Sequence, residues 1–328
     1  MRVAVLGSNS FAGCDFVDLL LEAGHFDVLG LSRSPEKSVA FLPYAHRLRD
    51  RFVYRQLDFN RDFEEVQAVL DAFGPEYIVN FAAQGDDAAS WAHPQDFFQT
   101  NCVALARLAA HLNTKAYLRR FLQVSSSGVY GAAPQTLTEG SPIAPKSPYG
   151  ISKAAADLLL LSYHEHFGFP AQIVRPPNLY GTYQQLFRII PKSIILLKRG
   201  QPIEMHGGGH AVRSYLHVRD ASCAALAILE RGGVGEIYNI SANELCRIRD
   251  IVAIICELLG KDFTASTCDV DDRRGQTSVT EFDSTKIRRE LGWYPRISLR
   301  EGISGVQDWI EREWDNLMEQ ELVYVHKI

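Results

Sequence analysis

No apolar run in this 328-residue chain approaches the roughly 20 residues that span a bilayer, which argues against a membrane-embedded role. Basic residues are not in excess either. The 34 lysines and arginines against 39 aspartates and glutamates leave a formal net charge of −5, and the sequence pI is near 6.1. That balance lacks the positive field that nucleic-acid or anionic-membrane binding needs. The six cysteines (14, 102, 223, 246, 256, 268) include no C-x-x-C pair, which points away from zinc and disulfides and toward free thiols in a reducing compartment. No signal-peptide pattern precedes the first strand, since "MRVAVLG" enters it directly. The expectation is a cytoplasmic protein with neither nucleic acid nor membrane as partner. Internal repeats and low-complexity tracts are also lacking.

What is present is an alternation. Short β-rich runs at 2–7, 27–33, 52–58, 77–83, 120–126 and 171–177 are separated by amphipathic helical patterns at about 11–23, 62–73, 94–113 and 149–168. Strands apolar on both faces, regularly interrupted by helices, predict an α/β fold with a Rossmann-type doubly wound parallel sheet. After Pro176 the rhythm loosens into helices at about 188–199 and 219–230, a glycine run inside "HGGGH" (206–210), and one more strand in "GEIYNIS" (235–241). The expected division is a main domain over 1–177, to which 212–241 returns, and a smaller, interleaved C-terminal domain over 178–211 and 242–328.

The first strand ends in "GSNSFAG", with Gly7 and Gly13 six apart and a helical pattern starting at Phe11. Backbone N–H groups at a helix N-terminus, reinforced by its dipole, suit a pyrophosphate, so the turn reads as a dinucleotide site. The usual spacing would place a third glycine where Ser10 stands. Its Cβ restricts backbone approach, and Asn9, tolerant of left-handed geometry, is expected to supply part of the missing freedom. The second strand ends "GLSRS" (30–34) with no acidic residue to bind a ribose 2′-hydroxyl. Ser32 and Arg33 suit a 2′-phosphate instead, which favours NADP over NAD; a solvated loop arginine is the plain alternative. Asp58, beside Phe59, either meets the adenine or caps its own loop. Ala82, Ala83 and Pro176 complete the expected cofactor contacts.

Tyr149 and Lys153 lie four apart at the start of a helical segment and share one face. An ammonium near a phenol stabilises the phenolate, and an oxidised nicotinamide adds charge of the same sign. Both lower the tyrosine pKa from about 10, which makes a general base for a sugar or alcohol hydroxyl. Upstream, "SSSGVYG" (125–131) closes a strand in serines. With "NFAAQ" (80–84), "TN" (100–101), "SPYGISK" (147–153), "RPPNLYG" (175–181), "VRSYLHVRD" (212–220) and "LGWYP" (291–295), the chain resembles the extended short-chain dehydrogenase/reductase family over most of its length. The resemblance is to that family's NAD(P)-dependent nucleotide-sugar epimerases and dehydratases.

The resemblance implies a Rossmann domain for NAD(P) and a smaller domain for a nucleoside diphosphate sugar. Ser126 would hydrogen-bond the hydroxyl being oxidised, Tyr149 would remove its proton, and Lys153 would hold the nicotinamide ribose and tune Tyr149. Asn178, Arg213 and Arg273 match positions that face the diphosphate or nucleoside, although "DRRG" (272–275) replaces the frequent Asp-Arg-Pro-Gly. Gln84, Ser127 and Arg188 are further substrate-side candidates, with a solvated helix arginine the plain alternative for Arg188. No metal is expected: His206 and His210 have no third ligand at a sensible spacing. Family members commonly dimerise through paired helices, and the apolar faces at about 100–112 and 153–163 suit a homodimer or burial against the sheet.

Dehydratases of the family typically carry an Asp-Glu pair or one Glu after the catalytic Ser/Thr. Here Ser127 and Gly128 stand there, neither an acid nor a base near neutral pH. The expectation is therefore an epimerase acting at sugar carbon 4. The alternatives are a 4,6-dehydratase or 4-keto-sugar reductase with rearranged acid–base residues, for which Asp86 or Asp87 beside Gln84 offers a carboxylate, and a non-catalytic NAD(P)-binding sensor, which Ser10 makes conceivable.

Overall fold

The computed structural model describes residues 1–131, 136–271 and 281–326. In chain order its strands are β1 (Arg2–Leu6), β2 (Asp27–Ser32), β3 (Phe52–Gln56), β4 (Tyr77–Asn80), β5 (Arg120–Val124), β6 (Ala171–Arg175), β7 (Asn178–Tyr180), β8 (Ile203–His206), β9 (Val212–His217), β10 (Ile237–Asn239), β11 (Leu245–Arg247) and β12 (Thr267–Val270). Seven of them form one sheet in the order β10-β6-β5-β4-β1-β2-β3, and every pair is parallel. The chain builds outward from β1 to β3 and then returns to the other side of β1 with β4. That reversal opens a crevice at the carboxyl ends of β1 and β4, where open α/β sheets bind ligands.

The sheet is buried on both faces, which is why its strands read as continuous apolar runs. On one face Phe16, Val17 and Leu20 of the helix Phe11–Ala23 pack with Ala224 and Ile228 of the helix Val218–Arg231. On the other, Val66 and Leu70 pack with Leu105, Leu108 and Leu160. Each such fully buried side chain contributes roughly 1.5–3 kcal/mol relative to exposure. A charged seam closes the first pair of helices: Arg219 meets Glu22 at 3.1 Å and Asp15 at 3.4 Å, and Arg47 meets Asp18 at 2.8 Å.

Within 212–241, the helix Val218–Arg231 and β10 join this large layer, whereas β9 pairs with β7 and β11 in a separate three-stranded sheet. A second core gathers Ile190, Ile194, Ile251, Ile255, Val306 and Trp309. Trp309 anchors it to the loop after β2 by donating its indole N–H to the Ala40 carbonyl at 2.9 Å. From this core the chain crosses back. Tyr324 packs edge-on against Phe187, and His326 reaches Asp96 at 2.8 Å. No helix among the described residues is long and apolar enough to cross a membrane, and all six cysteines are free thiols.

One irregularity matters for the site. The helical stretch beginning at Pro94 does not stay α: Gln99–Ala104 forms a π-turn before Leu105–Leu112 resumes the α pitch. Such turns place one extra residue and frequently mark functional positions.

Candidate active site

At the crevice, Gly7 has φ +74°, and a Cβ there would lie 2.5 Å from the Ala82 nitrogen; one on Gly13 would lie 2.2 Å from the Gly7 carbonyl oxygen. Neither position accepts a side chain, so the turn sits directly on the end of β4. Ser10 fits between them as the cap of the helix Phe11–Ala23, its Oγ accepting from the Gly13 N–H at 3.0 Å. The N–H groups of Phe11 and Ala12 precede the first intrahelical bonds and are left for an anion. These residues fit a dinucleotide pyrophosphate, and bound NAD(P) would supply the hydride acceptor.

Asn9 departs from expectation. Among the described residues only Tyr183 and Asn243 are non-glycines at positive φ, so Asn9 supplies no left-handed turn. It is a strut: its side-chain amide donates to Ser34 Oγ at 3.0 Å and the Pro35 carbonyl at 2.7 Å and accepts from Lys37 N–H at 3.1 Å. Its own N–H occupies the Ser32 hydroxyl at 2.9 Å, which ties Ser32 to the phosphate turn. Arg33 is half-buried, with Tyr324 within electrostatic reach. Asp58 caps its loop, accepting from Asn60 N–H at 2.8 Å, and Phe59 belongs to the core. Ala82 N–H is held by Asn80 at 3.1 Å; Ala83 is exposed and Pro176 buried.

The catalytic candidates meet at the end of β5. Ser126 caps the single turn Ser127–Tyr130, its Oγ accepting from Gly128 N–H at 3.0 Å. A hydroxyl used as an acceptor by the backbone keeps its own proton to donate. The helix Pro148–Phe167 begins with Ser147 as cap and Pro148 in the first turn, which sets Tyr149 and Lys153 one turn apart at the crevice. Lys153 is 2 % exposed and donates Nζ to the Val124 carbonyl at 2.7 Å. Burial pulls its pKa down to about 8, opposed by the Asp157 carboxylate. Asp157, one further turn along, is buried against Arg175 at 2.9 Å; Arg175 donates to the Tyr130 hydroxyl at 2.8 Å, which donates to Asn239 at 2.8 Å. Burial raises the Tyr149 phenol above its ordinary value, opposed by the nearby Ser126 hydroxyl and by the charge of Arg188. Burial thus outweighs the lowering expected at this phenol, and the Lys153 ammonium donates to Val124.

On the substrate side, Arg188 donates to the Gly85 carbonyl at 3.3 Å and faces Asp86 at 3.7 Å. Gln84 is buried. Ser127 is half-buried, its N–H held by the Pro176 carbonyl at 3.0 Å. Asn178 is exposed and donates to the Ser214 carbonyl at 3.3 Å. Its register partner across the β7/β9 pair is Tyr215, which feels the charges of both Arg213 and Arg188. Both arginines thus lie within electrostatic reach of Tyr215, the register partner of Asn178. Arg273 lies outside the described residues. His206 Nδ1 meets the Asp271 carbonyl at 3.1 Å.

Sequence reasoning gave no role to Asn101, which is 3 % exposed. Set by the π-turn, it accepts from Gln84 N–H at 2.8 Å and donates to the Gln84 carbonyl at 3.1 Å and Ser152 Oγ at 2.9 Å. Ser152 in turn donates to the Tyr149 carbonyl at 2.8 Å. Asn101 thus joins the loop after β4 to the tyrosine's helix. Its signal was the "TN" within an apolar helical pattern. Also unforeseen is the approach of His93, Asp96 and His326, whose ligand atoms lie within 4.8 Å of one another. The two imidazoles stack face to face at 4.2 Å and 4°, so their in-plane lone pairs run parallel instead of converging on one ion.

A parallel sheet with a glycine-turn crevice, and a Ser-Tyr-Lys set at the next strand end, define a dinucleotide-dependent enzyme class that works on a hydroxyl carbon. The chain belongs to the NAD dependent epimerase/dehydratase family, whose model matches residues 3–241. The dTDP-glucose 4,6-dehydratase of Streptomyces griseus is 33% identical over 330 residues, 97% of each chain. The dTDP-glucose 4,6-dehydratase of Streptomyces venezuelae, solved with NAD bound, matches with a TM-score of 0.88 at 31% identity over 96% of this chain and 98% of that one. The UDP-glucose 4-epimerase of Thermotoga maritima, solved with UDP-glucose, has a TM-score of 0.87 over 96% and 100% of the two chains; its 24% identity makes it a likeness of fold alone.

Proposed function

We propose that this protein oxidises carbon 4 of a nucleoside diphosphate sugar and carries the 4-keto sugar on to loss of water, as a nucleotide-sugar 4,6-dehydratase. The observation that carries the reading is the gathering of Ser126, Tyr149 and Lys153 at the crevice beneath Arg188. Ser126, its oxygen already accepting from Gly128 N–H, donates to the reacting oxygen. Tyr149 takes the hydroxyl proton once the nicotinamide's positive charge joins that of Arg188 in offsetting the burial that raises its pKa. Lys153 holds the cofactor ribose from its place beside Val124. Arg188 and Arg213 supply two cations for the substrate diphosphate. The named relatives favour elimination over epimerisation, and the NAD bound in the Streptomyces venezuelae enzyme makes NAD the first cofactor to supply, with NADP as the second.

Ser127 and Gly128 favour a second reading, 4-epimerisation, which needs no carboxylate after Ser126. Incubation with UDP-, GDP-, CDP- and dTDP-sugars, with and without NADH or NADPH, followed by NMR, separates the two. Water loss to a 4-keto-6-deoxy sugar supports the dehydratase. An epimer without net cofactor use supports the second reading, and stoichiometric consumption of reduced cofactor would identify a 4-keto-sugar reductase. The exposed Val103, Ile151 and Leu158, on the helical stretches 99–112 and 148–167, support a homodimer through those helices. Light scattering is expected to give twice the chain mass, and Leu158→Glu a monomer.

A further inference from the structure

The loop after β5 offers Ser127 and Gly128 beside the site and so no carboxylate. Loss of water across carbons 5 and 6 needs a base for the C5 proton and an acid for the departing hydroxyl. The loop after β4 brings one from the other side. Asp87 Oδ1 accepts from the Ser147 hydroxyl at 2.5 Å, and Ser147 caps the helix that carries Tyr149 in its first turn. The Asp87 charge also acts on the Tyr149 phenol.

This loop is held firmly. Asn101 binds both backbone groups of Gln84, and Ser90 donates to the Asp87 carbonyl at 2.6 Å. The neighbouring carboxylate is already engaged: Asp86 accepts from Ala89 N–H at 3.0 Å and faces Arg188. Asp87 is exposed, and its second oxygen has no hydrogen bond among the described residues.

We propose that Asp87 is the catalytic acid–base of this chain, replacing from the loop after β4 the carboxylate missing after Ser126. The inference rests on the reading that carbon 4 is first oxidised. With a ketone at carbon 4, the C5–H bond breaks, its proton passes to the free oxygen of Asp87, and its electron pair enters the C4 enolate. The C6–O bond then breaks as the enolate collapses, and the hydroxyl leaves as water with the proton that Asp87 has just taken. A single carboxylate serves both steps in turn and ends ionised, as it began. Bound NAD(P), held by the glycine turn and Lys153, would supply at carbon 6 the hydride taken from carbon 4, and a solvent proton would add at carbon 5, leaving no net redox change.

The test compares wild type with Asp87→Asn and Asp87→Glu, loaded with NAD and given the converted sugar from a panel of UDP-, GDP-, CDP- and dTDP-hexoses in D2O. Cofactor reduction is followed by absorbance, and C5 deuteration and water loss by NMR. Asp87→Asn is expected to keep reducing bound cofactor while losing C5 exchange and water release by at least ~100-fold; Asp87→Glu recovers part of both. If Asp87→Asn does not fold, as judged by circular dichroism and NAD binding, Asp87→Ser takes its place with the same expectation. Water release within about threefold of wild type in the carboxylate-free variant, or a wild type that epimerises without losing water, overturns the assignment of Asp87. A wild type that reduces no cofactor with any sugar defeats the underlying reading instead, before Asp87 is at issue.

Discussion

The two walls of the cleft are built on different principles. The wall proposed to hold the cofactor is made of strand ends and first helical turns. Lys153 and Asn101 are almost wholly buried, and Gly7 and Gly13 have no room for a side chain. The wall proposed to face the substrate is made of loops and three-residue strands, where Asn178 and Asp87 are exposed and the Arg188 side chain is 41% exposed. A buried wall fixes geometry and punishes any change of volume. A half-solvated wall binds by charge and tolerates exchange of side chains more readily.

That contrast breaks first, and most severely, at Tyr149. Tyr149→Phe is expected to lower turnover by roughly 10²–10⁴-fold while isothermal titration shows NAD binding unchanged; an active variant would remove the tyrosine from the mechanism. The next effect comes from pH. Because burial brings Lys153 down to about 8, its ammonium is present below that pH and lost above it. A profile of kcat/KM should therefore fall by about tenfold per pH unit on the alkaline side of 8; a profile flat to pH 10 contradicts a role for that charge.

Across the cleft, Arg188→Ala is expected to reduce kcat/KM by about 10–100-fold, the worth of one charge-assisted contact, without moving the melting temperature. Asn101→Ala tests the buried wall as structure: it leaves two backbone groups of Gln84 unpaired and should cost about 1–3 kcal/mol in urea unfolding. The smallest effect belongs to Ser10→Gly, which restores the usual glycine. A cap serine replaced by glycine costs only a few tenths of a kcal/mol, and NAD affinity should hold within about threefold, because Ser10 already fits the turn.

The cofactor wall was the more legible in the sequence. Gly7 and Gly13 are local demands of one turn, and the apolar runs of β1, β4 and β5 announce a sheet covered on both faces. Tyr149 and Lys153 are neighbours by helical spacing alone. Ser10 was read as an obstacle because capping depends on where the helix starts. Asn9 was read for its backbone when its side chain matters, bracing residues more than twenty positions away. Asn101 lay hidden in an apolar helical pattern, since no periodicity reveals that a helix gains a residue. The meeting of His326 with Asp96 spans 230 positions, a contact that only the completed fold creates.

The π-turn at Gln99–Ala104 has a genetic consequence. An α-helix advances about 100° per residue, so deleting a single codon there would straighten the helix and rotate Asn101 off the loop that it binds. The chain would still be read in frame and would keep its sheet, its glycine turn and its tyrosine. What it would lose is the clasp between that loop and the tyrosine's helix, so a change of one residue in length separates a positioned site from an ordinary helix packed on a sheet.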